Sequence, residues 1–208
     1  MKPAPSPLSG DLVGVYRTLP ARIIGWVLVA GAALLATLTV VDVVAGRHVG
    51  AGLAWPLALV VGLGSGAWAL FLRPHVRVYD DGVVLANVVT DSVVPLAVVE
   101  EVTHQWALEL HDREGHRHSA WAVPVRRDRV RRRSLDEFAE TTRRRGSAGV
   151  TAQGVADVVL RTLQRFRLDG GELRDDGAGT AAVVQRVAWS AVTALGLALA
   201  LGVVALLG

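Results

Sequence analysis

Three long apolar runs constrain this chain more than any other feature. Residues 23–45 read IIGWVLVAGAALLATLTVVDVVA, residues 51–72 follow after a short GRHVG link, and residues 181–208 close the chain. At about 1.5 Å of rise per residue, a helix of each length crosses the roughly 30 Å hydrocarbon core of a bilayer. The third run carries Gln185 and Arg186 near its start, which narrows its apolar core to residues 187–207. Composition agrees, with 51% hydrophobic residues and a mean hydropathy of +0.39. The apolar residues are clustered, not spread at the periods of 2 or 3.6 that mark soluble strands and helices. Gly31, Ala32 and Ala33 make signal cleavage conceivable, but the first run exceeds an ordinary signal core and another span follows at once.

Orientation is read from arginine placement. Lys2, Arg17 and Arg22 precede the first run, Arg47 alone lies in the link, and Arg73, Arg77 and many others lie between the second and third runs. The positive-inside rule then puts residues 1–22 and 73–180 in the cytoplasm, with the link and the C-terminus outside a plasma membrane. Two spans return the chain to its starting side, so parity agrees with charge. Trp26, Trp68 and Trp189 fall near the inner interface and Trp55 near the outer one. Asp42 lies within an apolar stretch and is read as reaching the outer interface or pairing with Arg47, with an ion relay as the alternative. Gly62, Gly64 and Gly66, with Ser65, offer a small-residue surface for the seam of a helical hairpin.

Between the spans the hydrophobic period changes. Residues 75–79 read as a strand, Asp80-Asp81-Gly82 as a turn, and residues 83–89 as a second strand. Residues 90–92 break the pattern, and residues 93–102 offer one or two short strands around Pro95. Residues 105–111 and 116–123 then form a hairpin about Asp112-Arg113-Glu114-Gly115, with Trp106, Leu108 and Leu110 on one face and Trp121 and Val123 on the returning strand. Residues 126–149 are an arginine-rich insertion in which Ser134-Leu135-Asp136-Glu137 has capping-box form for a helix to about Arg145. Residues 151–168 are an amphipathic helix with Val155, Val158, Val159, Leu163 and Phe166 on its apolar stripe, and residues 169–180 are a Gly- and Asp-rich tether. The expected class is a three-span α-helical membrane protein with a small α+β cytoplasmic domain.

Residues 76–87 (VRVYDDGVVLAN), 94–102 (VPLAVVEEV) and the hairpin at 105–123 resemble the bacterial PH-domain integral membrane proteins of actinobacteria. The resemblance spans residues 73–125 and implies an antiparallel β-sheet or barrel closed by the C-terminal amphipathic helix at 150–168. Dominance of arginine over lysine fits the GC-rich genomes of such organisms. In lipid-binding PH domains the first strand-turn-strand holds the headgroup with basic residues; here that turn is Asp80-Asp81-Gly82. The resemblance therefore points to protein interaction rather than headgroup binding.

Chemistry-bearing residues are sparse. Cysteine is absent, which excludes disulfides, cysteine-based zinc sites and thiol catalysis. His104, His111, His116 and His118 crowd the second hairpin. If residues 112–115 form its loop, His111 faces His116, Glu109 faces His118, and these four side chains share the face opposite Trp106 and Leu108. That arrangement reads as a solvated strand face, or as a metal site using His111, His116 and His118. A metal-dependent hydrolase is the reading such a site would serve, but no HExxH, CxxC or phosphate-loop pattern accompanies it. No cofactor and no catalytic residue is expected. The strongest surface signal is basic: Arg126, Arg127, Arg129, Arg131, Arg132 and Arg133, with Arg143, Arg144 and Arg145. Near an anionic leaflet each such charge contributes roughly 1 kcal/mol, so membrane lipid or an acidic partner fits, as does a solvated loop that reinforces topology. Nucleic acid does not fit, because no aromatic residues interleave the arginines for base stacking. The sequence thus reads as a membrane-anchored binding or scaffold module for another membrane protein, with an anionic-lipid sensor as the alternative.

Overall fold

The computed structural model describes residues 8–46, 53–104, 107–124, 152–171 and 182–207. The predicted helix at 134–145 and both arginine groups lie outside these residues. The chain divides into two compact units: residues 1–19, 75–86 and 92–185, and residues 20–74, 87–91 and 186–208.

The second unit holds the apolar helices. Helix α1 is Leu19–Val44, and helix α2, Ala54–Gly66, continues as a π-helical turn over Ala67–Leu72. All three expected spans are helices long and apolar enough to cross a membrane, the last being Trp189–Leu207. The hydroxyls on these helices are satisfied locally: Thr37, Thr39, Ser65 and Thr193 each donate to the carbonyl four residues earlier. Hydrocarbon offers no other partner, so this back-bonding is what makes the residues tolerable there. Asp42 is partly buried on α1, and Arg47 lies outside the described residues.

Two expectations about these helices change. Gly62, Gly64 and Gly66 do not form the hairpin seam, since a Cβ at any of them would meet open space. Close approach to α1 occurs instead at Gly25, where a Cβ would lie 2.6 Å from Leu72 Cδ2 and 3.1 Å from Phe71 Cβ. Helix α2 packs chiefly along the last helix, and the π turn meets it through buried Ala69, Ala188 and Ala191. The second change concerns residues 181–188, expected at the head of the third helix. Val184–Val187 is a strand, and the helix begins only at Trp189. Gln185 and Arg186 are exposed there, and the β-branched Val183, Val184 and Val187 around them suit extended backbone.

The first unit is the β domain. Its strands are β1 Leu12–Tyr16, β2 His75–Tyr79, β3 Gly82–Ala86, β4 Thr90–Pro95, β5 Val99–Thr103, β6 Ala107–Asp112 and β7 Arg117–Pro124. With Val184–Val187 as β8, they form a sheet in the order β1-β2-β3-β4-β8 and a second in the order β5-β6-β7. Both are antiparallel, and neither closes into a barrel among the described residues. The helix of this unit, α3, is Ala152–Leu168, and Trp189–Leu207 is α4.

Strand β1 was not expected. It pairs with β2 in the register Tyr16↔Val76 and Val15↔Arg77, although the first two apolar helices lie between them in the chain. A short apolar segment before a span carries no periodicity of its own, so only the pairing reveals it. The break in the β3–β4 region also moves. It falls at Asn87–Val89 and not at 90–92, because the Asn87 N–H donates to the Thr90 carbonyl and closes a turn there.

Alternation builds the core. Val76 and Val78 of β2, Leu85 of β3, Leu108 and Leu110 of β6, and Ala120 and Ala122 of β7 all point inward. On α3, Val155, Ala156, Val159 and Leu163 are buried at helical spacing, with Val158 and Phe166 packed at the margin, as the amphipathic stripe predicts. Each fully buried leucine or valine contributes about 1.5–3 kcal/mol relative to leaving it in water. Asp81 of the β2–β3 turn accepts the N–H groups of Ser9 and Gly10 at 2.6 and 2.8 Å, so this acidic turn is occupied by the chain's own backbone.

Candidate functional site

The richest cluster of titratable groups among the described residues is the end of the β6–β7 hairpin. Gly115 sits at φ +82°, the left-handed region, and its N–H donates to the Asp112 carbonyl at 3.0 Å. The Asp112 N–H donates in turn to the His116 carbonyl at 3.1 Å. The loop is therefore Arg113 to Gly115, a tight turn ended by a left-handed glycine. Loop length sets register, and here it gives His111↔Arg117, Leu110↔His118 and Glu109↔Ser119.

This register corrects the expected one by a single residue, and such a slip exchanges the faces of the returning strand. His118 lies on the inner face, its side chain 12% exposed, and its Nε2 is 3.1 Å from Asp112 Oδ2. His111 lies on the outer face, 3.4 Å from Thr103 Oγ1 through Nε2. His104 is exposed at the end of β5. Trp121, expected inside with Leu108, is instead 66% exposed, and Ala120 and Ala122 take the inner positions. Trp106 lies outside the described residues. The three histidines considered for a metal are thus not brought together, and among the described residues no group of three His, Asp or Glu side chains is placed to hold a metal ion.

What the turn does assemble is a buried carboxylate with a full set of donors. The Asp112 side chain is 6% exposed. Its Oδ1 accepts the N–H groups of Glu114 at 3.0 Å and His116 at 2.8 Å, and His116 Nδ1 lies 3.4 Å from Oδ2. Burial alone pushes the carboxyl pKa up, but the His118 hydrogen bond, the two backbone donors and the His116 charge together hold it below its ordinary value. Asp112 therefore stays ionised and orients the His118 ring, whose Nε2–H it accepts. The signal for this was in the sequence: Asp three residues before Gly, with alternating histidines after it.

Among the described residues, the outer face of the same sheet is largely polar, and it carries exposed Trp121. Glu101, His111 and Arg117 lie in one row across the three strands, and Thr103, Glu109 and Ser119 in the next. Arg117 reaches Glu109 at 3.7 Å. Trp121 follows on β7.

No family model, curated protein or solved structure matches this chain.

Proposed function

We propose that this protein is a membrane-anchored, PH-like binding module, an accessory or regulatory subunit that engages another membrane protein at the inner leaflet of the plasma membrane. The observation that carries the reading is Trp121, 66% exposed on a polar sheet face that also holds the Arg117–Glu109 ion pair. A large exposed aromatic within a polar surround is the composition of a protein-binding anchor, because it brings much contact area at little entropic cost. The PH-like part is supported by short antiparallel strands followed by a helix that covers the core, the arrangement implied by the resemblance. The cytoplasmic orientation is supported by arginine placement, and the β1–β2 pairing is consistent with two spans between them: hydrogen-bonded strands must share one side of a membrane.

The test is site-specific photo-crosslinking in native membranes, with a benzophenone amino acid in place of Trp121 in the full chain. A discrete adduct with another membrane protein, lost when the probe is moved to exposed Glu100, is expected. Recovery of monomer alone overturns the reading. Adducts with lipid alone favour the anionic-lipid sensor, for which the arginines at 126–133 supply the charge.

A further inference from the structure

The short segment between β3 and β4 belongs to the helical unit and not to the β domain that flanks it. Several of its backbone groups are hydrogen-bonded within that unit. The Asn87 N–H donates to the Thr90 carbonyl at 2.8 Å, the Asn87 carbonyl accepts from Arg73 Nη1, and the Val89 carbonyl accepts the Ala188 N–H at 2.9 Å. The one acidic side chain, Asp91, is neutralised by Arg73. A turn in water needs no such arrangement, since water satisfies it. A turn at a membrane surface does need it, because unpaired backbone groups are costly wherever water is scarce.

The apolar side chains around it are left outward. Val89 is 45% exposed, Val187 is exposed at the end of β8, and Trp189, the first residue of α4, is 70% exposed. Ala188, between the latter two, is the residue hydrogen-bonded to Val89, so the three residues are neighbours along the backbone. Helix α4 has span-like length and hydropathy. If hydrocarbon begins near Trp189, then Val187 stands only about 7 Å back along an extended strand. That distance falls within the interfacial layer, roughly 5–8 Å thick on each side. Tryptophan prefers this layer, and exposed Arg186 is placed to meet lipid phosphate beyond it.

We propose that the turn over residues 87–91 and the end of β8 form a lipid-contacting collar, with Val89, Val187 and Trp189 seated in the interfacial layer of a phospholipid bilayer. The proposal rests on the helices spanning a membrane and is independent of any protein partner. The collar gives the helical unit a fixed depth, since its apolar side chains oppose movement outward and the Arg73–Asp91 pair and Arg186 oppose movement inward.

The absence of cysteine makes the test direct. Val89→Cys in the full chain is labelled with nitrobenzoxadiazole and reconstituted into phosphatidylcholine–phosphatidylglycerol vesicles. Quenching by a nitroxide at carbon 5 of the acyl chain is compared with quenching by aqueous iodide, and Leu197→Cys on α4 serves as the in-span reference. The expected result is strong quenching by the lipid nitroxide, comparable with position 197, and several-fold less by iodide. Strong iodide quenching without lipid quenching places the turn in water and overturns the proposal. Shielding from both quenchers shows that protein covers the turn, and overturns it equally. Absence of lipid quenching at position 197 overturns the spanning reading, and this proposal with it.

Discussion

Arg73 Nη2 sits 2.8 and 2.6 Å from the two carboxylate oxygens of Asp91, and Nη1 of the same guanidinium reaches the Asn87 carbonyl. One side chain at the end of the π turn thereby fastens both ends of the 87–91 segment. The Arg73 side chain is 12% exposed, so its charge is largely out of water. The planar guanidinium makes the two contacts from two separate nitrogens, a geometry that a lysine ammonium does not reproduce.

Removing Arg73 leaves a partly buried carboxylate and an unpaired carbonyl. Arg73→Ala is expected to lower stability by about 2 kcal/mol, and Arg73→Lys by about half of that. A thermal-melt double-mutant cycle with Asp91→Asn, on the full chain in detergent, should give a coupling of about 1 kcal/mol. Amide exchange at residues 87–91 should accelerate in every variant lacking the pair; unchanged exchange would show that the segment is held by other contacts.

Asp112 carries a pH prediction. Its native pKa lies below the ordinary carboxylate value, because the His118, His116 and Glu114 donors favour the ionised form. A depressed native pKa means the stabilisation is complete at neutral pH. It declines as pH falls through the unfolded value near about 3.9 and is gone below the native one. Asp112→Ala should cost about 2 kcal/mol at pH 7, with faster exchange of the Glu114 and His116 amides. The wild-type advantage over this variant should shrink in strong acid; a constant difference across pH would refute the assignment.

Gly115 at φ +82° fixes the hairpin register. Gly115→Ala should destabilise by about 1 kcal/mol, and Gly115→Asn by less, since asparagine tolerates the left-handed region. Thermal melts order the three proteins, and equal stability of alanine and glycine would mean that the loop relaxes to another turn.

Gly25 predicts a contrast within the spans. Gly25→Ala drives a methyl into Leu72 and Phe71 and should cost about 1–2 kcal/mol, relieved in part by Leu72→Ala. Gly64→Ala meets open space and should be neutral or slightly stabilising. Tryptophan fluorescence during detergent denaturation distinguishes the two, and equal effects would remove the packing argument.

Legibility from sequence followed the range of the interactions involved. The β2–turn–β3 segment, the stripe on α3 and the inward positions of Leu108 and Leu110 were readable, because each depends on periodicity within a few residues. The histidine cluster was half readable. Its residues were evident, but their faces depended on whether the β6–β7 loop held three residues or four, and a one-residue difference moved His118 inward and Trp121 outward. Nothing local marked Leu12–Tyr16 as a strand, since its partner lies beyond two apolar helices.

The sequence by itself determined that three segments are apolar enough to cross a membrane and that a β-rich domain interrupts them. Both follow from composition over a window of residues, which no tertiary contact can reverse. Tertiary structure decided the register of the β6–β7 hairpin, the recruitment of β1, the recasting of residues 184–187 as a strand and the clamp from Arg73 to Asp91. Each of these depends on a hydrogen-bond partner far away in the chain, or on a single backbone angle, and neither is encoded in the hydrophobic pattern.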